Sequence, residues 1–225
     1  MLRIVQLKPK ENSFYELSKI VKKGIDAIIL CEGKRDVNVL KGILLKFFED
    51  LDKVVAIADC ESKDSVMDFA KDVVVLSSMS RRLKTIAVVI DADEYTPEKR
   101  AESVKNSMQS ITGSPVELAE INESDDMFEL KSQKFNTKAF VKIADDFSLP
   151  YEKHTIDDLV LQLLFLEGKA DKNSMDAFRT AKEFVNEVVE CDRISIKELI
   201  LNSKSENVER SFHNIIDYLK NVTEN

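Results

Sequence analysis

Residues 27–36 read AIILCEGKRD, five apolar residues followed by an acid, a glycine, two cations and a second acid. Residues 86–94 read IAVVIDADE, again an apolar run that ends at acids. Apolar runs of this length are typical of buried strands, and a strand that is apolar on both faces is typical of the centre of a parallel sheet. These two stretches decide the fold class, because each predicts a central strand that ends at an acid.

Outward from these stretches, predicted strands alternate with predicted helices. The first seven residues, MLRIVQL, favour an edge strand, and further strands are predicted at 54–58 and 116–121. Segments with helical spacing of apolar residues lie between the strands, at about 36–49, 64–79 and 97–112. Such alternation implies right-handed βαβ units. We therefore predict an α/β fold: a parallel sheet with helices on both faces.

The character of the sequence changes from about residue 136, where helical patterns replace the alternation. Four helices are predicted there, at 155–167, 174–189, 195–201 and 206–222. We expect a helical C-terminal appendage on the sheet domain. The predicted division is an N-terminal strand and helix at 1–24 packed on the core, a catalytic domain at 25–150 and a helical region at 151–225.

The amino-acid composition argues against several classes of protein and of binding site. No stretch of the 225 residues approaches the roughly 20 apolar residues of a membrane span, and the polar start favours a cytoplasmic protein with no membrane partner. Three scattered cysteines and two histidines argue against a zinc site. The net charge of −8 argues against broad, non-specific binding to nucleic acid. Any nucleic-acid site must therefore be local.

Acidic residues that follow two of the predicted strands are the candidate functional groups. Glu32 follows the first central strand, and Asp91 and Asp93 follow the third. The carboxyl ends of parallel strands meet at one edge of a sheet, so we expect the three carboxylates to lie close together. In extended backbone Asp91 and Asp93 would point the same way. Clustered carboxylates repel each other unless a cation lies between them, and carboxylates favour hard ions such as Mg²⁺ or Mn²⁺.

The segments ILCEGKRDVNVLKGIL and AVVIDADEYTPEKR resemble the two motifs of the Toprim (topoisomerase–primase) domain family. The resemblance covers about residues 25–122. It is strongest to small stand-alone Toprim proteins related to the overcoming-lysogenization-defect nucleases. It implies a Toprim-like sheet, with Glu32 as general acid or base and also a metal ligand, Asp91 and Asp93 as metal ligands, and Mg²⁺ or Mn²⁺ as cofactor.

Further residues are candidates around these three. Those expected to contact substrate phosphate are Gly33, Lys34, Arg35 and Lys63, with Gly33 allowing a tight turn and close approach of backbone. Arginines at 81, 82 and 100 and Lys99 are additional cations that could meet phosphate. Supporting acids are Asp36, Glu94, Asp157 and Asp158, the last two as candidates for a second metal site.

The predicted function is metal-dependent phosphodiester chemistry on DNA or RNA, with a Toprim-type nuclease favoured. One alternative is a catalytically degenerate Toprim module that binds nucleic acid or a partner protein. Another is a receiver-like signalling domain that binds Mg²⁺. A phosphatase with a DxDxT loop fits poorly, because Tyr95 stands where that motif has threonine. The C-terminal helices are a candidate surface for a homo-oligomer or a protein partner.

Overall fold

A seven-stranded sheet forms the centre of the computed structural model, which describes residues 1–9, 11, 14–78, 80–122, 127–135, 137–144 and 148–224. The strands are β1 (Arg3–Leu7), β2 (Ala27–Cys31), β3 (Val54–Asp59), β4 (Thr85–Asp91), β5 (Glu117–Asn122), β6 (Met127–Lys131) and β7 (Lys138–Ala144). Their order across the sheet is β1-β3-β2-β4-β7-β6-β5. Strands β1, β3, β2, β4 and β7 run parallel, and the β5–β6 and β6–β7 pairs are antiparallel.

Helices cover both faces of this sheet. They are α1 (Phe14–Lys22), α2 (Lys34–Phe47), α3 (Lys63–Ser78), α4 (Pro97–Thr112), α5 (Ile156–Leu166), α6 (Ala181–Asp192), α7 (Ile196–Asn202) and α8 (Ser205–Glu224), with a 3-10 helix at Lys172–Ala177. Buried residues of α1, α3 and α4 form one core with the sheet, and those of α2 and α5–α8 form the other. Strand β2 is buried at every position for this reason. The predicted α/β class, with helices on both faces and C-terminal helices, is confirmed.

The sequence prediction placed no strand between residue 122 and the first C-terminal helix at 155–167. Strand β7 nevertheless lies there, beside β4 near the middle of the sheet. Its apolar run is interrupted by Lys142, which is nevertheless buried in the sheet. The hairpin of β5 and β6 also makes the sheet mixed rather than wholly parallel. The predicted single helix at 174–189 is instead the 3-10 helix followed by α6, which begins after the N-cap Thr180.

The C-terminal helices share a core with the central strands. Helix α8 contributes Phe212, Ile215 and Leu219 to the core that also contains Ile29 of β2. The buried hydroxyl of Tyr218 donates a hydrogen bond of 3.1 Å to the carbonyl oxygen of Val88 in β4. No helix among the described residues combines the length and apolar character needed to cross a bilayer.

The Tyr218 hydrogen bond gives a test of this packing. Replacing Tyr218 by Phe removes a buried donor to a central strand, so the free energy of unfolding should fall by about 1 kcal/mol. Urea unfolding followed by circular dichroism measures the change. Tyr15→Phe is the matched control, because the Tyr15 side chain is 66% exposed and its substitution should leave stability nearly unchanged. Equal stability of the Tyr218 variant and the wild type would contradict the predicted contribution.

Candidate active site

The two predicted central strands end side by side at the carboxyl edge of the sheet. Cys31 of β2 pairs with Val89 of β4 in parallel register, so Glu32 follows β2 beside the point where β4 reaches Asp91. The backbone N–H of Asp91 donates to Oε1 of Glu32 at 3.3 Å. A cavity of about 550 Å³ opens at this edge, lined by Glu32, Gly33, Lys34, Arg35, Asp36, Asp59, Glu61, Asp91, Ile156, Asp157 and Lys182.

The first turn of α2 places Asp36 at this cavity. Its Oδ2 accepts a hydrogen bond of 2.9 Å from the backbone N–H of Gly33, the N-cap, so the carboxylate closes the turn that begins the helix. Gly33 itself has an extended backbone, with φ of −162°, which any residue can adopt. A Cβ at this position would meet no atom within 4 Å. The structure therefore shows open space over Gly33, not a turn that requires glycine.

Helix α5 brings a further acid to the cavity. Oδ1 of Asp91 accepts a hydrogen bond of 2.9 Å from the backbone N–H of Ile156, so β4 and the start of α5 are joined directly. The next residue, Asp157, forms an ion pair with Arg35, whose guanidinium also contacts Oδ1 of Asn186 in α6. Asp157 is buried, with 6% of its side chain exposed. Arg35 therefore connects three helices around the cavity.

Asp158 points away from these groups. Its Oδ2 accepts a hydrogen bond of 3.0 Å from the backbone N–H of Thr155, in a capping box, and lies 3.2 Å from Nδ1 of His154. Within the described part of the chain, Asp158 is not part of the cavity wall. The structure thus gives Asp158 a helix-capping contact and places Asp157 at the candidate site.

Asp93 occupies a different position from Asp91. Its backbone is left-handed, with φ of 54°, so the extended geometry expected for the DxD pair does not hold there. Its backbone exchanges two hydrogen bonds of 2.9 Å with His154, and its carboxylate forms an ion pair with Arg100. Among the described residues, the cavity lining does not include Asp93. Oε1 of Glu94, the next residue, lies 3.2 Å from Nζ of Lys153 at the surface.

Five cations lie at three different positions relative to the acids. Lys34, Arg35 and Lys182 line the cavity. Arg100 is buried: its guanidinium donates to the backbone oxygen of Asp91 at 2.9 Å as well as to Asp93, so it holds the loop after β4 in place. Arg82 bonds Asp26, which precedes β2, and so lies at the opposite edge of the sheet. Arg82 is therefore too far from the acids to meet a phosphate bound there.

Three charged cavity residues were missed by the sequence prediction. Asp59 ends β3, which lies beside β2, so the strand-end argument that found Glu32 could also have found it. Glu61 follows in the same loop, and Oδ1 of Asp59 accepts its backbone N–H at 3.3 Å. Lys182 has no comparable signal, because it belongs to α6 and reaches the cavity only through tertiary packing.

Burial and mutual repulsion raise the pKa values of the carboxyl groups. Burial raises the pKa of Asp36 to about 7, and the charges of Glu32 and Asp157 act in the same direction. The pKa of Asp91 lies well above its usual range because of burial and the charge of Asp36. Burial also raises the pKa of Glu32, with the Asp91 N–H opposing it. The cavity therefore favours protons or a cation over free negative charge.

The model of one protein family, described as protein of unknown function (DUF3226), matches residues 26–141, just over half of the chain. The chain belongs to the DUF3226 family. Among solved structures, the C-terminal region of the Burkholderia pseudomallei OLD protein is similar to it at 12% identity, with a TM-score of 0.45; this covers 88% of the DUF3226 chain and 98% of the other. No curated protein matches the chain. The family match includes Glu32, Asp36 and Asp91.

Carboxylate oxygens are the ligands that magnesium and manganese ions prefer, and in this DUF3226 protein several carboxylates line one cavity. Within the described ranges, no three Asp, Glu, His or Cys side chains stand ready to hold one ion. Each carboxylate is held in place by a local contact instead of turning toward a shared ion. Asp36 accepts a hydrogen bond from the N–H of Gly33, Asp91 accepts one from the N–H of Ile156, and Asp157 forms an ion pair with Arg35. Each carboxylate has a second oxygen, so the donor set fits a hard cation once side chains turn toward it.

Asp36 gives the site a measurable pH dependence. Between its ordinary pKa of 3.8 and about 7, the folded protein retains a proton that the unfolded chain has released. The free energy of unfolding should therefore fall as pH rises through this window. Asp36→Asn keeps an oxygen for the Gly33 N–H but cannot titrate, so it should reduce the slope and be more stable than wild type above the window.

Urea unfolding in EDTA, from about pH 5 to about pH 8, measures this dependence. Asp50→Asn is the matched control, because Asp50 is exposed, and it should keep the wild-type slope. An Asp36→Asn protein whose stability falls with pH as steeply as the wild type would contradict the assignment.

Proposed function

We propose that this protein carries out Mg²⁺- or Mn²⁺-dependent phosphodiester chemistry on nucleic acid, as a nuclease of the Toprim type. One observation carries the proposal. Glu32, Asp36, Asp91 and Asp157 line a single cavity together with the cations Lys34, Arg35 and Lys182. Acids that can hold a metal and cations that can meet a phosphate are the two halves of a phosphodiester site.

Glu32 is the group we assign to proton transfer. It is partly exposed at the cavity, so a substrate hydroxyl or water can reach it, and burial raises its pKa above the ordinary value of a glutamate. A raised pKa makes a carboxyl group a better proton carrier near neutral pH than an ordinary glutamate. The Asp91 N–H bonds one of its oxygens, which fixes the carboxylate and leaves the other oxygen for the proton.

Asp91 is the central ligand of the proposal, because it lies between Glu32 and the start of α5. Asp36 and Asp157 are the acids best placed to join it. A bound divalent ion would neutralise the phosphate and stabilise the charge that develops on its oxygens. Asp93 remains a proposed ligand, but its carboxylate must leave Arg100 to reach the cavity, so we expect it to contribute less than Asp91.

The cavity cations have separate roles. Lys34 and Lys182 are exposed, and their ammonium groups can meet the substrate phosphates that approach the cavity. Arg35 is already bonded to Asp157 and Asn186, so we assign it mainly to positioning Asp157. Lys63 is not part of the cavity wall among the described residues, and we expect it to act outside the cavity.

A second candidate function is a module that binds nucleic acid without cleaving it. The observation in its favour is that no ready three-ligand metal set exists among the described residues. The two functions differ in one measurable respect. A nuclease loses its strand cleavage in EDTA, whereas a binding module has none to lose.

The test is cleavage of labelled single- and double-stranded DNA and RNA by the intact protein, with Mg²⁺, Mn²⁺ or EDTA. We expect metal-dependent cleavage of at least one substrate. Glu32→Gln should lower turnover by about 10²–10⁴-fold with little change in substrate affinity, because the amide keeps the shape and cannot carry the proton.

Glu49→Gln, the same change at an exposed residue beyond the far end of α2, should retain full activity. Absence of metal-dependent cleavage with every substrate would overturn the nuclease assignment. Full activity of Glu32→Gln would overturn the role of Glu32.

A further inference from the structure

Tyr95 is an exposed aromatic residue beside the candidate active site. It lies four residues after Asp91, and 54% of it is exposed, which sets it among the few large hydrophobic residues at the surface of the described chain. Its backbone N–H donates to the carbonyl oxygen of Ala92 at 3.1 Å, which closes the turn after β4. The turn thus presents the ring to solvent at the carboxyl edge of the sheet.

Two cations lie against this ring. The guanidinium carbon of Arg100 is 5.0 Å from the ring centroid, and Nζ of Lys63 is 6.0 Å from it. Arg100 is 2% exposed, so it lies on the protein side of the ring, and the exposed part of Tyr95 faces away from it. An aromatic surface flanked by positive charge is the combination that binds single-stranded nucleic acid, since it attracts the backbone and stacks a base.

Arg100 also fixes the ring relative to the cavity. The same guanidinium donates to the backbone oxygen of Asp91 and pairs with Asp93. One side chain therefore joins the Tyr95 ring to the strand end that forms the cavity wall. A nucleotide whose phosphate lies at the cavity would have a neighbouring base within reach of Tyr95.

We propose that Tyr95 is a stacking platform for an unpaired base of single-stranded nucleic acid, next to the phosphate bound in the cavity. The proposal rests on the proposed function and deepens it, because it names the substrate class: single strands or frayed ends. Bases within a duplex are stacked on one another and cannot offer a face to the ring. Lys63 lies outside the cavity wall. Its positive charge meets the nucleic-acid strand where that strand leaves the cavity.

The chain contains no tryptophan, which makes a direct test available. Tyr95→Trp introduces a single indole whose fluorescence is quenched when a base stacks on it. The titrations use oligo(dT) and oligo(U) with Ca²⁺ or EDTA, conditions in which cleavage is not needed. We expect saturable quenching by at least one of them, and the two arms separate DNA from RNA.

Two controls isolate stacking. Val75→Trp places the reporter at another exposed hydrophobic position, 50% exposed, near the opposite end of α3, and should show no quenching. An abasic oligonucleotide of the same length carries the same phosphates without bases, and a duplex closed by a hairpin loop of abasic sites at each end carries bases that are stacked and cannot fray. Neither should quench the indole fluorescence of the Tyr95→Trp variant.

Affinity provides the second readout. Tyr95→Ala should weaken single-strand binding by about 10-fold or more, which corresponds to about 1.4 kcal/mol, while Tyr95→Phe should bind like wild type. Quenching by the abasic strand as strong as by oligo(dT) and oligo(U), or unchanged affinity of Tyr95→Ala, would overturn the stacking role. If bases stack on residue 95 but no nucleic acid is cleaved, the stacking role stands and the nuclease assignment is wrong. If nucleic acid is cleaved but no base stacks, the nuclease assignment stands and the stacking role is wrong.

Discussion

The candidate site depends on the gathering of several carboxylates at one edge of the sheet. Glu32 and Asp91 are adjacent because β2 and β4 are neighbouring parallel strands, and Asp36 and Asp157 join them from the first turns of α2 and α5. Burial raises the pKa of Asp36 to about 7, because the charged carboxylate is removed from water at this position. The backbone N–H of Gly33 reduces this penalty for Asp36, and the N–H of Ile156 does the same for Asp91, since helix N-termini favour negative charge.

The C-terminal helices complete the site that the sheet begins. Helix α5 supplies Asp157 and the N–H that bonds Asp91, and α6 supplies Lys182 and Asn186. These helices also share a hydrophobic core with β2 and β4. The cavity therefore has one wall from the strand ends and another from the C-terminal helices, and both walls depend on the same core.

The sequence predicted the parts of the site that follow from local pattern. An apolar run ending at an acid identifies a buried strand and its end, so Glu32 and Asp91 could be placed at one edge without a structure. The position of Asp93 could not be predicted, because it depends on a left-handed backbone and a buried partner, Arg100. The central strand β7 was missed because Lys142 interrupts its apolar run, and Lys182 reaches the site only through tertiary packing.

Binding of a divalent cation by this carboxylate cluster can be measured by calorimetric titration of the protein with Mn²⁺. Performed near neutral pH in buffers of different ionisation enthalpy, the titration also counts released protons. We expect saturable binding with proton release, since the pKa of Asp36 is about 7 and a metal displaces protons from its ligands. Asp91→Asn should lose most of the affinity, while Arg82→Gln at the opposite edge should bind like wild type. No saturable binding, or binding that Asp91→Asn leaves unchanged, would show that the carboxylate cluster is not a metal site.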